Sequence, residues 1–272
     1  KKLQLRFINF SKALFLYTHQ NLITLNLINN KRLLVSKSSD LRVGLTATFP
    51  CSYLADKQEQ LVMLIDPEIY AQQYYPTLMS IGFRRSGDQV YRPNCPGCDG
   101  CESLRIRSDD FILSKSQKRL LNKNKHFTTI QSSNTKEAYY ALYERYINEI
   151  HKDGVMYPAH REQFESFIAC SWGDVIFIEI YDGTKLISVS VTDRLGSEGN
   201  SAWSAFYCFY DPDYYANSLG KYAVLQQLDL AKKQKIEFLY LGYYIHNCQK
   251  MNYKNQFNPH QRFINQQWAA FD

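Results

Sequence analysis

VIFIEIYDGTKLISVSV, residues 175–191, decides the fold. Two runs rich in Val and Ile flank Asp182-Gly183, and a glycine there accepts the positive φ that a tight reversal needs. The stretch therefore predicts a β-hairpin with strands at 175–181 and 185–191. SAWSAFYCFY (201–210) adds a third strand, which Asp211-Pro212 ends because proline supplies no backbone N–H. SLGKYAVLQQLDLAKKQ (218–234) reads as a helix and IEFLYLGY (236–243) as a buried strand.

Strand, strand, strand, helix, strand is the order of an acetyltransferase-like (GNAT-type) acyltransferase core. The fold class expected is α+β, with that core C-terminal and a smaller cysteine-containing α/β region before it. The expected divisions are 1–37, an atypical extension outside the functional protein, 38–113, the cysteine-containing region, and 114–272, the core. Residues 1–37 hold no Asp or Glu and are rich in Lys, Asn, Leu and Ile. Within the second unit, Ser114-Lys115-Ser116-Gln117 fits a capping box, in which two side chains satisfy free amides at a helix start. Tyr139, Leu142, Tyr143, Tyr146, Ile147 and Ile150 fall on one face of a helix over 135–150. In the first unit VMLID (62–66) reads as a strand. Residues 67–83 read as a helix with Tyr70, Tyr74, Leu78 and Ile81 on one face.

The chain has 272 residues, 45% hydrophobic and 21% charged, which is ordinary globular composition. No apolar run approaches the roughly 20 residues that span a bilayer, so no membrane partner is expected. Lys12, His19 and Gln20 interrupt the apolar N-terminal stretch, which lacks the core of a secretory signal. With seven cysteines and no such signal, the expected compartment is the reducing cytoplasm, and a disulfide framework is not expected. A net charge of +6 leans towards anionic partners.

CPGCDGC (95–101) places three thiols within seven residues. Cys95, Cys98 and Cys101, with Cys51 as fourth ligand, are candidates for zinc or an iron–sulfur cluster. A structural turn and a redox pair are the alternatives. Arg84, Arg85, Arg92, Arg105 and Arg107 flank this turn and form a candidate anion site, since guanidinium groups pair bidentately with carboxylate or phosphate. Lys115, Lys118 and Arg119 on a basic helix start suit a polyphosphate backbone. Ser218, Gly220 and Lys221 open a helix whose first amides suit an anion. The segment 240–259 carries Lys250, Tyr253 and Lys254. No Ser-His-Asp order and no paired carboxylates appear there, which argues against hydrolase chemistry. Transfer from an activated ester needs positioning, an anion clamp and a route for one proton. Asp193, Tyr243 and Tyr253 are the candidate catalytic groups.

PCSYL (50–54), GFRRSGDQVYRPNCPGCDGCESLRIR (82–107), SKSQKRLL (114–121), GVMYP (154–158), SLGKYAVL (218–225) and YLGYYIHNCQKMNYKNQF (240–257) occur in one order. Together they resemble the bacterial aspartate/glutamate leucyltransferases, a branch of the arginyl-tRNA–protein transferase family, from about Ser38 onward. The resemblance implies transfer of leucine from leucyl-tRNA to the N-terminal amine of proteins beginning with Asp or Glu. That tag marks them for degradation by the N-end rule. No cofactor is required for this chemistry, and some relatives bind zinc or an iron–sulfur cluster through their cysteines. Under this reading Arg84, Arg85 and Arg92, with Arg105 and Arg107 behind them, meet the acceptor's acidic side chain. Lys115, Lys118, Arg119, Ser218, Gly220, Lys221, Lys250 and Lys254 meet the tRNA. Three alternatives stand beside it: arginine as donor, an acetyl-coenzyme A N-acetyltransferase, and a metal-stabilised RNA-binding module. The second predicts a Q/R-x-x-G-x-G/A turn, which Asn217-Ser218-Leu219-Gly220 does not supply.

Overall fold

The computed structural model describes residues 22–27, 39–66, 68–154, 156–196 and 201–272. Among them the larger sheet has eight strands, in the order β15-β14-β8-β13-β12-β11-β10-β9. The expected hairpin lies towards one edge of it, next to β9: β10 (Asp174–Asp182) and β11 (Lys185–Leu195) pair antiparallel around Gly183, whose φ is +58°. β12 (Ala202–Tyr210) follows, then helix α5 (Leu219–Lys233), then β13 (Phe238–Tyr244) parallel to β12. All other ladders in this sheet are antiparallel. They involve β8 (Glu102–Arg107), β9 (Thr128–Ser132), β14 (His260–Ile264) and β15 (Gln267–Phe271). β8 lies between β13 and β14, so the larger sheet draws a strand from before residue 113.

The smaller sheet runs β1-β2-β5-β7-β6, from Leu22–Leu27, Ser39–Leu45, Leu61–Leu64, Gln89–Pro93 and Arg84–Ser86. A two-stranded ribbon joins β3 (Phe49–Pro50) to β4 (Gln58–Glu59). Of the expected N-terminal extension, Leu22–Leu27 forms the edge strand β1 against β2. The rest of it lies outside the described residues. Helix α1 (Glu68–Ser80) covers the smaller sheet with Ala71, Tyr75, Leu78 and Met79. The face expected from the sequence was one position away: Tyr70 is exposed, and Tyr74 and Ile81 are half-buried. Pro76 sits inside this helix and removes one backbone donor.

Alternation along the strands puts the helices on opposite faces of the larger sheet. Ile176, Ile178, Trp203, Leu239 and Leu241 pack under α5. Phe177, Val189 and Val191 face the other way, against α3 (Glu137–Ile150) and α4 (Arg161–Ile168). Tyr240 and Leu195 on that second face join the core of the smaller sheet. Five of the six expected α3 positions are buried, and Ile150 is 39% exposed. Helix α2 (Lys115–Lys123) begins with the expected capping box: Gln117 N–H donates to Ser114 Oγ at 3.3 Å, and Ser114 N–H to Gln117 Oε1 at 2.8 Å.

Candidate active site

β12 and β13 stay paired over three positions, Ala202↔Phe238, Trp203↔Leu239 and Ser204↔Tyr240. Both strands continue, to Tyr210 and Tyr244, but without a shared ladder. Register shifts sit at the point of parting, one opposite Val191/Thr192 on the β12 side and one between Tyr240 and Gly242 in β13. Such bulges bend a strand away from its neighbour. Gly242 holds φ +78°, which an L side chain rarely adopts. The parting opens a cavity of about 790 Å³ through the larger sheet, within the range of small-molecule sites.

One end of the cavity is framed by the start of α5. Ser218, Gly220, Lys221, Tyr215, Ala216 and Lys250 line it. Ser218 occupies the N-cap position in the left-handed region (φ 48°, ψ 48°), and its side chain makes no cap bond. Its hydroxyl therefore does not cap the helix. Lys221 Nζ donates to Gln256 Oε1 at 2.8 Å. Tyr215 is 84% exposed at this mouth. Helix α2 borders it: Lys123 Nζ donates to Ala216 O and Asn124 Nδ2 to Asn217 O. Lys115, Lys118 and Arg119 are exposed on α2.

The opposite end is walled by the cysteine turn and the smaller sheet, and there the five arginines separate. Arg84 and Arg85 line the cavity and are 5% and 3% exposed. Arg85 is committed: its Nε and Nη2 donate to Asp193 at 2.9 and 2.6 Å, and its Nη1 to the carbonyls of Gly87 and Ala169. Arg84 has no carboxylate partner among the described residues. Its Nη groups reach Phe83 O and Ser103 Oγ, and its buried Nε has no partner. Arg92, Arg105 and Arg107 lie elsewhere. Arg92 donates to Ile81 O. Arg105 is held by Gln261 and Tyr240 between Phe238 and Trp268, and Arg107 faces Asp110 and Glu237. None of the three lines the cavity.

The catalytic candidates also separate. Asp193 is taken by Arg85 and accepts from Tyr75 Oη at 3.3 Å, so it holds structure and does not line the cavity. Breaking such a buried pair costs roughly 3–5 kcal/mol. Tyr243 and Tyr253 do line the cavity. Burial pushes the Tyr253 phenol up to about 12 and Tyr243 well above its ordinary range, so neither is a base near neutral pH. The Tyr243 hydroxyl donates to Gly82 O at 2.8 Å. Lys254 is 6% exposed, too buried for a phosphate-backbone contact. It points into the cavity, where its Nζ donates to Tyr243 O at 2.5 Å. Burial, with the Arg84 charge adding, lowers its pKa to about 7.

Cys51, Cys95, Cys98 and Cys101 surround a neighbouring cavity of about 50 Å³. Thiolates would suit zinc or an iron–sulfur cluster. As placed, however, no three such side chains among the described residues approach closely enough to hold a metal ion. Cys51 Sγ instead accepts from Tyr53 N–H, and Cys95 Sγ lies 3.7 Å from Gln60 O. Burial, with the neighbouring thiols adding, raises the Cys101 pKa, which favours the neutral thiol. This arrangement does not fit a closed metal centre.

Two family models cover most of the chain: arginine-tRNA-protein transferase, N terminus, over residues 49–119, and its C terminus over residues 138–264. The chain belongs to this family. It is similar to the aspartate/glutamate leucyltransferase of Pseudoalteromonas atlantica, 47% identical over 228 residues, covering 84% of this chain and 96% of that one. The Vibrio cholerae leucyltransferase is 47% identical over 236 residues, covering 86% and 99%. A solved structure titled "The structure of L-PGS from Bacillus licheniformis" aligns at 11% identity and a TM-score of 0.37, covering 64% of this chain and 52% of that chain. A likeness that slight assigns nothing.

Three groups in this transferase's cavity carried no sequence signal. Gln227, on α5, is 1% exposed with its Oε1 unpartnered, and it reads in LQQL as one more helix residue. Ser190 Oγ on β11 lacks a nitrogen or oxygen partner. Glu59, from the β4 ribbon, is the one carboxylate lining the cavity among the described residues, and burial raises its pKa.

Proposed function

We propose that this aminoacyltransferase moves leucine from leucyl-tRNA to the N-terminal amine of proteins beginning with Asp or Glu, marking them for N-end rule degradation in the cytoplasm. The observation that carries the mechanism is the parting of β12 from β13. It gives one cavity two ends, one with exposed cations and one with buried cations. The hairpin, third strand, α5 and β13 support an acetyltransferase-like reading of the larger sheet.

The tRNA 3′ end enters beside α5. First-turn amides and Lys221 face its last phosphates, exposed Tyr215 offers a stacking face to a terminal base, and Lys115, Lys118 and Arg119 continue the basic surface. The acceptor enters from the cysteine end. Its acidic side chain meets Arg84, a buried cation without a counter-ion, and Glu59 faces its ammonium group. Lys254, with a pKa lowered to about 7, is neutral in about half of the molecules at pH 7 and takes the ammonium proton. The free amine then attacks the ester carbonyl: the C–N bond forms, the C–O bond breaks, and the ribose 3′ oxygen leaves with the second amine proton. An aminoacyl ester is already activated, so positioning supplies most of the rate. Leucine suits this cavity better than arginine, because the one carboxylate that lines it among the described residues, Glu59, lies at the acceptor end.

The test is transfer of labelled leucine or arginine from purified charged tRNAs to proteins beginning with Asp, Glu, Arg or Ala. Leucine on Asp and Glu alone is the expected result. Arginine on the same acceptors would replace the donor. No transfer by a folded, tRNA-binding protein would favour the RNA-binding module.

A further inference from the structure

We infer that Gln227 is the donor-binding residue that reads the α-amine of the aminoacyl group and so turns its ester carbonyl towards the slot. This rests on the transfer reaction proposed above. Gly220, Ala223, Val224 and Gln227 all line the cavity, at the spacing of one helical face. That stripe leads from the mouth inward. Seven residues at 1.5 Å each put Gln227 about 10 Å below Gly220. With the terminal phosphate at the start of α5, the aminoacyl group hangs at about that depth, since a phosphate and the α-nitrogen of an esterified residue lie several bonds apart.

Gln227 brings a specific chemistry to that depth. Its Oε1 is a hydrogen-bond acceptor, buried, with no partner in the protein. A buried acceptor left unpaired is costly, so it marks a place where a ligand brings N–H or O–H groups. The leucyl side chain has none, and the ester carbonyl is itself an acceptor. The donor's α-amine is the group that fits. Arg84 Nε, also buried and unpartnered and also on the cavity wall, is a hydrogen-bond donor at the opposite end. The two are complementary to the two substrates: an acceptor atom for the donor's amine, a donor atom for the acceptor's carboxylate. The Gln227 amide is neutral as well as polar, and this leaves the amine free of an ion pair that would hold it too tightly for release.

The experiment compares leucyl-tRNA with 4-methylpentanoyl-tRNA, the same donor lacking the α-amine, prepared by chemical acylation. With the wild-type protein and an Asp-starting acceptor, kcat/KM should favour leucyl-tRNA by about 10- to 100-fold. In Gln227→Met the preference should fall to within about 3-fold, through loss on leucyl-tRNA alone. A preference that survives in Gln227→Met overturns the assignment. So does an equal loss on both donors, which is what a purely structural glutamine gives. Gln227→Glu keeps the oxygen acceptor and must keep the preference, and this variant decides the matter if Gln227→Met does not fold. Absence of wild-type transfer from leucyl-tRNA would instead refute the underlying reaction.

Discussion

At the α5 end of the cavity the charges are exposed: Lys221 and Lys250 stand in solvent, beside a tyrosine that is 84% exposed. At the other end they are buried: Arg84 is 5% exposed and Lys254 6%. The difference matches the size of what each end would hold. A nucleic acid is recognised by many solvated contacts, each weak and screened by salt. A single carboxylate on a small side chain must be gripped by few groups, and burial makes each of them count for more. Arg84 and Arg85 repeat the contrast at the scale of two adjacent residues. One is saturated by Asp193, and the other meets no acid among the described residues.

Arg84 is where this contrast breaks most sharply. Arg84→Met should lower kcat/KM for an Asp-starting acceptor by about 1,000-fold, the loss expected from removing one partner of a buried charge pair. Affinity for leucyl-tRNA, measured by filter binding, should change less than about 3-fold. Equal loss of both would erase the distinction between the ends.

Lys254 sharpens it through pH. Its pKa is about 7 in the folded protein and about 10.4 when unfolded. Below pH 7 both states carry the proton, and the folded state bears the full penalty of the buried charge. Between about 7 and 10 the unfolded state binds more protons, so stability rises with pH over that window. The gain in Tm from Lys254→Met should therefore be largest at pH 6 and shrink by pH 9. In the same variant kcat should fall about 100-fold. Wild-type kcat/KM should climb through pH 7 as the amine loses its proton.

The smallest effect is expected on the exposed surface. Lys115→Ala, Lys118→Ala and Arg119→Ala combined should weaken tRNA binding about 10-fold at low salt and flatten the log–log salt dependence by about 2. Transfer at saturating tRNA should be unchanged.

Much of this architecture was legible in local signals. Asp182-Gly183 marked the hairpin, and Ser114 with Gln117 marked the start of α2, because those interactions close within a few residues. The face of α1 was misplaced by one residue, since Tyr70 and Tyr75 are equally apolar in sequence and only the sheet beneath decides between them. The site was legible as a composition and not as an arrangement. Five arginines stood near the cysteine turn, but Arg85 is removed from the candidates by Asp193, 108 residues away. Lys254 looked like a surface cation because nothing near it in sequence tells that Tyr243 and Arg84 close over it. Gln227 was invisible: an orphaned acceptor exists only once the surrounding partners are known.

The slot between β12 and β13 has a kinetic consequence. Because it runs through the sheet, the proposed placement would bring the two substrates in from opposite faces, so that neither would block the path of the other. Under that placement the enzyme would be free to load them in either order and to hold both at once. Leucine would then pass directly from ribose to peptide in a ternary complex, without being parked on the protein between two half-reactions, and the spent tRNA and the tagged protein would depart by separate doors.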